Sequence, residues 1–263
     1  MAMTIAPDAP LATIAGWPIN IAHQRQAIAD VTGAAARGES FAVFTLNLDH
    51  LDKLKRDARF QRAYAMARFI TADGAPVAYL ASLQGIPVER TTGADLVLPL
   101  ARAAAEQSLP LYLFGTRPEV LDGASKVLAS HAGGRLDIVG SSSPARDFDP
   151  EGPAADAALD AIAASGARLC YVALGAPKQE IFAARGVARG IPCGFVCIGA
   201  GLDFLVGEQV RAPMFMQKIG MEWFWRLASN PTRMAGRYAR CALVLAEIGL
   251  VAPAKRAIGK VFS

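Results

Sequence analysis

Short apolar runs alternate with amphipathic stretches along most of this chain, and this alternation constrains the fold more than any other feature. The apolar runs have strand length and are rich in β-branched or aromatic residues: FAVFTL (41–46), LYLFG (111–115), RLDIVG (135–140), RLCYVALG (168–175) and CGFVCIG (193–199). Helical patterns lie between them, at Asp95–Gln107, Pro118–Ser130, Ala154–Ala164 and Lys178–Ala188. Strand and helix in repeated alternation predict an α/β fold, with a Rossmann-like parallel sheet flanked by helices.

Several predicted strands end in glycine directly before a helix, as in LFGTRPEV and ALGAPKQE. In parallel sheets, ligands bind at the carboxyl ends of strands, where helix N-termini offer unpaired backbone N–H groups. These turns are therefore candidates for holding phosphate, although an ordinary strand–helix turn also favours glycine. The polar, proline-rich segment 141–153 is predicted to be a surface loop.

The alternation stops after Asp203, and two helical segments follow, at Phe215–Ala228 and Thr232–Leu250. We predict an α/β domain over residues 1–205, expected to hold the catalytic site, and a helical basic C-terminal appendage over 206–263. The appendage carries nine Lys/Arg and three acids, a net +6, whereas the preceding residues sum to −2. Nucleic-acid binding is disfavoured, since it would call for basic residues across the fold.

Composition places the chain among proteins with a large buried core. Hydrophobic residues make up 53% and charged residues 19%, and this apolar surplus is compatible with a homo-oligomer interface. The late apolar run 241–252 contains Glu247 and is shorter than the roughly 20 residues that span a bilayer. Neither a secretory signal nor a disulfide framework is visible, so we expect a cytoplasmic protein. Cysteine and histidine lack metal-ligand spacing, so no metal is predicted.

Two short patterns offer candidates for chemistry. In TADGAP (71–76), Asp73 precedes an apolar helix and could act as a general base on a substrate hydroxyl, but Asp-Gly is also typical of a turn or N-cap. In TLNLDH (45–50), Thr45 and Asn47 point to the same side of a strand end and could hydrogen-bond a sugar or base. The alternative is that Asn47 or Asp49 caps the following helix.

Other familiar motifs are missing or incomplete. There is no nucleophile elbow, P-loop or zinc motif. GAGLDF (199–204) lacks the third glycine of a dinucleotide fingerprint, so a dinucleotide-dependent oxidoreductase is kept only as an alternative and no cofactor is predicted. RDFD (146–149) has the Asp-x-Asp spacing of some metal sites, but it lies in the polar loop, and a metal role is disfavoured.

The ordered motifs carry a family resemblance from about Asn20 to Tyr238. These blocks are TLNLDHL, TADGAP, ERTTGADL, LYLFG, ALGAPKQE, GAGLDFLVG, RAPMFMQKIGMEWFWRL and NPTRMAGRY. Together they resemble the WecG/TagA/CpsF family of bacterial glycosyltransferases. The resemblance implies metal-independent, inverting transfer of a sugar from a UDP-sugar to a polyprenyl-diphosphate-linked sugar. The implied setting is the inner face of the cytoplasmic membrane, in bacterial surface or exopolysaccharide biosynthesis.

The resemblance also assigns roles to residues. It makes Asp73 the catalytic base, and it implies that the substrate-binding residues are Thr45, Asn47, Arg90, Gln179, Arg211, Arg233 and Arg237. The last three would bring positive charge from the appendage to the donor's diphosphate, which a metal-free enzyme must neutralise with cations or helix dipoles. The chain departs from the family pattern at two places. Ile181-Phe182 stand where the family often has a bulky aromatic residue after the PKQE segment, and Thr116-Arg117 stand where it often has a glycine-rich turn.

The appendage combines aromatic and basic residues. Arg233, Arg237 and Arg240 share one helix face, which would be an ordinary solvated face if it bound nothing. The residues expected to favour an anionic membrane surface are Trp223, Phe224, Trp225, Arg240, Lys255, Arg256 and Lys260. Among the aromatic residues, Trp223 is the one we expect to pack in the core. A membrane-docking scaffold without catalysis is the non-enzyme alternative.

Overall fold

The computed structural model describes residues 10–218 and 220–251, apart from the side chains of Lys218, Arg226, Arg233, Leu250 and Val251. The strands are β1 (Ala12–Ile14), β2 (Trp17–Ile19), β3 (Phe41–Leu46), β4 (Phe69–Ala72), β5 (Leu111–Gly115), β6 (Ile138–Ser142), β7 (Leu169–Ala173) and β8 (Gly194–Cys197). The helices of the first half are α1 (Gln24–Ala36), α2 (Leu48–Leu54), α3 (Ala58–Ala65), α4 (Ala75–Ser82), α5 (Gly93–Glu106) and α6 (Pro118–His131). Those of the second half are α7 (Pro153–Ala164), α8 (Lys178–Ala188), α9 (Gly201–Leu205), α10 (Met214–Lys218), α11 (Glu222–Ser229) and α12 (Pro231–Ala246).

Six strands form one parallel sheet in the order β4-β3-β8-β7-β5-β6, while β1 and β2 form a separate antiparallel hairpin. In register, Leu46 of β3 pairs with Ala72 of β4, and Val43 pairs with Val196 of β8. The predicted α/β, Rossmann-like fold is confirmed. The carboxyl ends of β3, β4, β7 and β8 therefore share one edge of the sheet, where such folds bind ligands.

Helices cover both faces of the sheet, which explains why the strands are almost uniformly apolar in sequence. Every residue of β3, β5, β7 and β8 is buried. On one face, Phe114 of β5 stacks on Phe182 of α8 with ring centroids 4.3 Å apart. On the other face, Leu100 of α5 and Leu128 of α6 pack into a second buried cluster.

The structure corrects several sequence predictions in the α/β part. The hairpin of β1 and β2, the strand β4 and the helices α1 to α3 were not predicted, and β6 occupies Ile138–Ser142 rather than 135–140. The segment 141–153 is not wholly a surface loop. Phe148 is buried there, because its ring packs against those of Phe114 and Phe182.

The C-terminal segment also differs from prediction. The helix expected at Phe215–Ala228 is divided into α10 and α11, because Gly220 adopts a left-handed conformation (φ +75°) between them. Helix α12 continues as a π-helical turn, Glu247–Val251. The prediction that Trp223 packs in the core is wrong, since 42% of this residue is exposed. None of the helices within 10–218 and 220–251 is long and apolar enough to cross a membrane.

Candidate active site at the carboxyl edge of the sheet

Asp73 follows β4 at the carboxyl edge of the sheet. Its backbone N–H donates to the carbonyl of Leu46 at 2.8 Å, which extends the pairing of β3 and β4 by one residue. Thr45 Oγ1 and Asn47 Nδ2 both donate to Asp73 Oδ2, each at 3.3 Å. Thr45 and Asn47 do lie on the same side, as their alternation predicts. The carboxylate is thus oriented by two neutral donors from the neighbouring strand and its following residue.

Asn47 satisfies both interpretations offered by the sequence. Its Oδ1 accepts from the backbone N–H of His50 at 2.9 Å and so caps the N-terminus of α2. Its Nδ2 is at the same time a donor to Asp73. For Asp73 itself, the N-cap position of α4 is occupied by Gly74 and lacks a side-chain capping bond. Asp73 is therefore not the N-cap residue of α4, and its carboxylate accepts from Thr45 and Asn47.

Gln179 lies at the first turn of α8 and is almost fully buried. Its Oε1 accepts from the backbone N–H of Gly199, directly after β8, at 3.0 Å. Its Nε2 donates to Glu180 Oε1 at 2.7 Å. Glu180, which no sequence pattern singles out, is fully buried, and burial raises its pKa to about 7. Gln179 is thus linked to the edge of the sheet on one side and to Glu180 on the other.

Arg90 and Arg211 converge on Asp95 in the first turn of α5. An Arg211 guanidinium nitrogen lies 2.6 Å from Asp95 Oδ1, and an Arg90 nitrogen lies 3.5 Å from Asp95 Oδ2. Both arginines also lie near Glu222 of α11, at 3.7 Å for Arg90 and 3.9 Å for Arg211. Burial would raise the pKa of Asp95, but the hydrogen bond and charge of Arg211 outweigh it and lower the pKa. The cluster joins the appendage to the site.

Arg90 is placed beside Asp73 by its backbone. Residues 72 and 90 form a parallel β-bridge, and the N–H of Thr91 donates to the carbonyl of Ala72 at 2.8 Å. The same segment leads into α5, whose first residue, Gly93, sits tightly on the end of β8. A Cβ at position 93 would lie 2.7 Å from Cα of Ile198, so the close approach requires glycine.

Arg237 lies in a different cluster. Its Nε is 3.1 Å from Asp49 Oδ1 on α2, and Lys53 Nζ donates to Asp49 Oδ2 at 2.6 Å. Burial would raise the pKa of Asp49, but the charge of Arg237 and the Lys53 contact lower it overall. Arg240 makes a similar contact with Asp52 at 3.3 Å. The side chain of Arg233 lies outside the described residues, so its predicted role stays a prediction.

Thr116 follows β5 at the same edge of the sheet. It adopts a left-handed conformation (φ +43°), which is costly for a β-branched residue by roughly 1–3 kcal/mol. Its Oγ1 lies 3.2 Å from both carboxylate oxygens of Asp203, and Ser143 Oγ donates to its carbonyl at 2.5 Å. These bonds hold the turn that lacks the usual glycine. Within the described ranges, His, Cys, Asp and Glu form no group of three or more suited to a metal, around Asp147 and Asp149 or elsewhere.

The carboxyl edge of this parallel sheet presents an oriented carboxylate, with Arg90 and Arg211 gathered beside the same strand end, and α/β folds of this class bind ligands at this edge. Comparison with known families identifies the class more closely. The model of the glycosyl transferase WecG/TagA/CpsF family matches residues 12–255, nearly the whole chain. The protein therefore belongs to this glycosyltransferase family, and the resemblance carried by the ordered motifs is confirmed.

Proposed function

We propose that the protein is an inverting glycosyltransferase that moves a hexose or N-acetylhexosamine-type sugar from a UDP-sugar to a polyprenyl-diphosphate-linked sugar, in bacterial surface or exopolysaccharide biosynthesis. Family membership supports glycosyl transfer. The observation that carries the mechanism is the carboxylate of Asp73, which Thr45 and Asn47 orient at the edge of the sheet. A single positioned carboxylate is what an inverting transfer needs.

In the proposed reaction, Asp73 accepts the proton of the acceptor hydroxyl as that oxygen attacks the anomeric carbon of the donor. The new C–O bond forms while the bond from the anomeric carbon to the diphosphate oxygen breaks, and the electron pair leaves with UDP. One displacement inverts the anomeric centre, so a second nucleophilic carboxylate is unnecessary. Thr45 and Asn47 donate to the carboxylate and keep it in the orientation that receives the proton.

The departing diphosphate would be neutralised by arginines. Arg90 and Arg211 already lie together beside the strand that carries Asp73, where Asp95 and Glu222 balance their charge. Guanidinium groups bind phosphate oxygens in a bidentate manner, so a diphosphate would compete with these carboxylates for the same donors. We propose the same duty for Arg233 and Arg237, the latter after exchange of its contact with Asp49.

Contact with the inner face of the cytoplasmic membrane is supported by apolar side chains on the appendage. Val210 is 75% exposed and Phe215 is 64% exposed, and Met214, Trp223 and Phe224 are exposed beside them in sequence. Such side chains next to basic residues favour an interfacial position on an anionic bilayer. The acceptor lipid resides in that bilayer. Three of the basic residues predicted to assist, Lys255, Arg256 and Lys260, lie outside the described residues.

Substitution of the base tests the proposal. Asp73→Asn is expected to lower transfer by about 10²–10⁴-fold, because the amide cannot accept the hydroxyl proton, while binding of UDP stays close to wild type. The measurement is radiolabelled sugar transfer to a lipid-linked acceptor across a panel of UDP-sugars, with the product linkage determined by NMR. Asp122→Asn, an exposed position on α6, is the matched control. Wild-type turnover in Asp73→Asn would refute the base, and silence with every donor would favour a scaffold.

A further inference from the structure

A row of polar side chains runs behind the site, from α3 to the end of β8. The Tyr64 hydroxyl lies 2.6 Å from His50 Nδ1, and His50 Nε2 lies 3.8 Å from Glu180 Oε1. The same Glu180 oxygen accepts from Gln179 Nε2, and Gln179 Oε1 accepts from the N–H of Gly199. All four side chains in this row are buried, so each donor and acceptor among them needs a partner within the protein.

The protonation states of His50 and Tyr64 determine which groups in this row donate hydrogen bonds and which accept them. Burial lowers the pKa of His50 to about 3, so the imidazole is neutral at physiological pH. Burial also raises the pKa of Tyr64 well above its usual value, so the phenol keeps its proton. A phenol that donates to His50 Nδ1 leaves the imidazole proton on Nε2, facing Glu180. The Glu180 oxygen then accepts from Gln179 at 2.7 Å, while the N–H of His50 faces it from 3.8 Å, beyond hydrogen-bond distance.

The row also borders the catalytic carboxylate. The backbone N–H of His50 donates to Asn47 Oδ1, and the amide of Asn47 donates to Asp73 Oδ2. His50 therefore contacts Glu180 through its side chain and Asn47 through its backbone. A change in the hydrogen bonds of Gln179, or in the position of α2, would therefore alter both sides of the proposed site, which are Gly199 after β8 and Asp73 after β4.

Glu180 is the junction of the row, and its environment makes its charge sensitive to pH. Its Oε2 has no hydrogen-bond partner among the described residues, which is unusual for a fully buried carboxyl oxygen. Strand β3 carries no titratable side chain on either face. The titratable groups that act on Glu180 or lie beside it are Asp49, His50 and Lys53 of α2, Tyr64 of α3 and Cys197 of β8. Of these, Lys53 favours the carboxylate and Asp49 opposes it.

Resting on the proposed transferase function, we propose that Glu180 is a positioning residue for the transfer. Its carboxyl group holds the amide of Gln179 against Gly199 at the carboxyl end of β8, and it holds that amide more firmly as the carboxylate than as the acid. Hydrogen bonds to an ionised acceptor are shorter and stronger than those to a neutral one. Because burial raises the pKa of Glu180 to about 7, the firmer state is reached only as the pH rises through that value.

The kinetic test compares kcat across about pH 6 to 9 for wild type, Glu180→Gln, Glu180→Leu and the exposed control Glu106→Gln. Wild type and control should share an activity rise centred near pH 7. Glu180→Gln keeps a neutral acceptor, so we expect kcat about 3- to 10-fold lower than wild type at high pH, donor KM nearly unchanged, and no rise near neutrality. Glu180→Leu removes the acceptor and should lose more. A wild-type pH profile in Glu180→Gln would overturn the proposal.

A second measurement does not depend on turnover. In ¹H–¹⁵N spectra, the amide of Gly199 should shift with a midpoint near pH 7 in wild type and in Glu106→Gln, and should not titrate in Glu180→Gln. An unchanged Gly199 amide in wild type would also overturn the proposal, even if Glu180→Leu fails to fold. If the wild-type protein transfers no sugar from any donor while Gly199 titrates as expected, the proposed function fails but the link from Glu180 to Gly199 stands.

Discussion

The α/β part and the C-terminal segment differ in which side chains they bury and which they expose. Around the strand ends, polar residues are buried and hydrogen-bonded to other side chains, Thr45 to Asp73 and Gln179 to Glu180. In the C-terminal segment, large apolar residues such as Phe215 and Trp223 are exposed to solvent. The first arrangement fixes a geometry, whereas the second leaves apolar surface that only a further binding partner would cover.

The contacts that join the two regions are also of two kinds, charged and apolar. The C-terminal segment is attached through ion pairs, Arg211 with Asp95 and Arg237 with Asp49, and through buried side chains such as Val244 of α12. Partly exposed ion pairs contribute roughly 0–1 kcal/mol each and weaken in salt. The difference teaches that the α/β part should be stable by itself, while the position of the appendage should respond to charge.

The largest expected effect comes from removing the appendage. A chain ending at Val206 loses Arg211, Arg233 and Arg237, so we expect transfer to fall by about 10³-fold or more, since loss of even one charge-stabilising donor can cost about 10²–10³. Circular dichroism and thermal unfolding should still show a cooperative α/β domain. Full turnover of the truncated protein on a soluble acceptor analogue would show that these arginines are dispensable.

A matched pair of phenylalanines measures the difference in packing. Phe182 is fully buried between Phe114 and Phe148, so Phe182→Ala should lower the free energy of unfolding by about 3–5 kcal/mol. Phe224 is exposed on α11, so Phe224→Ala should change it by less than about 0.5 kcal/mol. Urea denaturation provides both values. Equal losses would contradict the contrast between the two regions.

The pH dependence of stability has a contribution of defined sign from Glu180. Its pKa rises from 4.5 to about 7 on folding, so between these values the folded protein keeps a proton that the unfolded chain has released. Stability should therefore fall as the pH rises through this window, by about 3 kcal/mol in total. Asp95 acts oppositely at acid pH, since its lowered pKa means stability is lost as the pH falls through it. Glu180→Gln should abolish the first effect in urea titrations at several pH values.

The smallest expected change concerns one ion pair at the junction. Arg237→Gln removes one of two cations on Asp49, but Lys53 remains, so we expect a loss of about 1 kcal/mol that shrinks in high salt. Arg240→Gln, at the more exposed pair with Asp52, is the comparison and should lose less. Thermal unfolding at low and high ionic strength checks both. A larger, salt-independent loss would mean that packing, rather than charge, holds α12 to α2.

The sequence predicted the sheet because buried parallel strands appear as uninterrupted apolar runs, as in Phe41–Leu46 and Leu169–Ala173. It missed Phe69–Ala72, which has only four residues, although Asp73-Gly74 directly after it is a turn signal. The hairpin strands, of three residues each, are shorter still. The break in the helix predicted at Phe215–Ala228 depends on the conformation of one glycine, Gly220, which helix periodicity alone does not show.

The candidate site was also predicted only in part, because alternation along a strand is visible in the sequence whereas contacts across the fold are not. Alternation along a strand places Thr45 and Asn47 on one side, and the structure brings both to Asp73. A glutamate in the first turn of a helix, such as Glu180, is ordinary in sequence, because that position favours acids near the helix N-terminus. Its burial, and its pairing with Gln179, follow from contacts across the fold. The exposure of Trp223 likewise depends on how α11 is placed and not on its amphipathic pattern.

The two hydrogen bonds of the Asn47 side chain have a consequence for protein engineering. Aspartate at this position would keep the acceptor that begins α2, but it would replace the amide donor with a second anionic oxygen beside Asp73. Two carboxylates at such a distance share protons unequally, and one of them ionises only in more alkaline solution. We therefore expect Asn47→Asp to require a higher pH before both carboxylates of the pair are ionised, with the residue that performs the proposed chemistry unchanged.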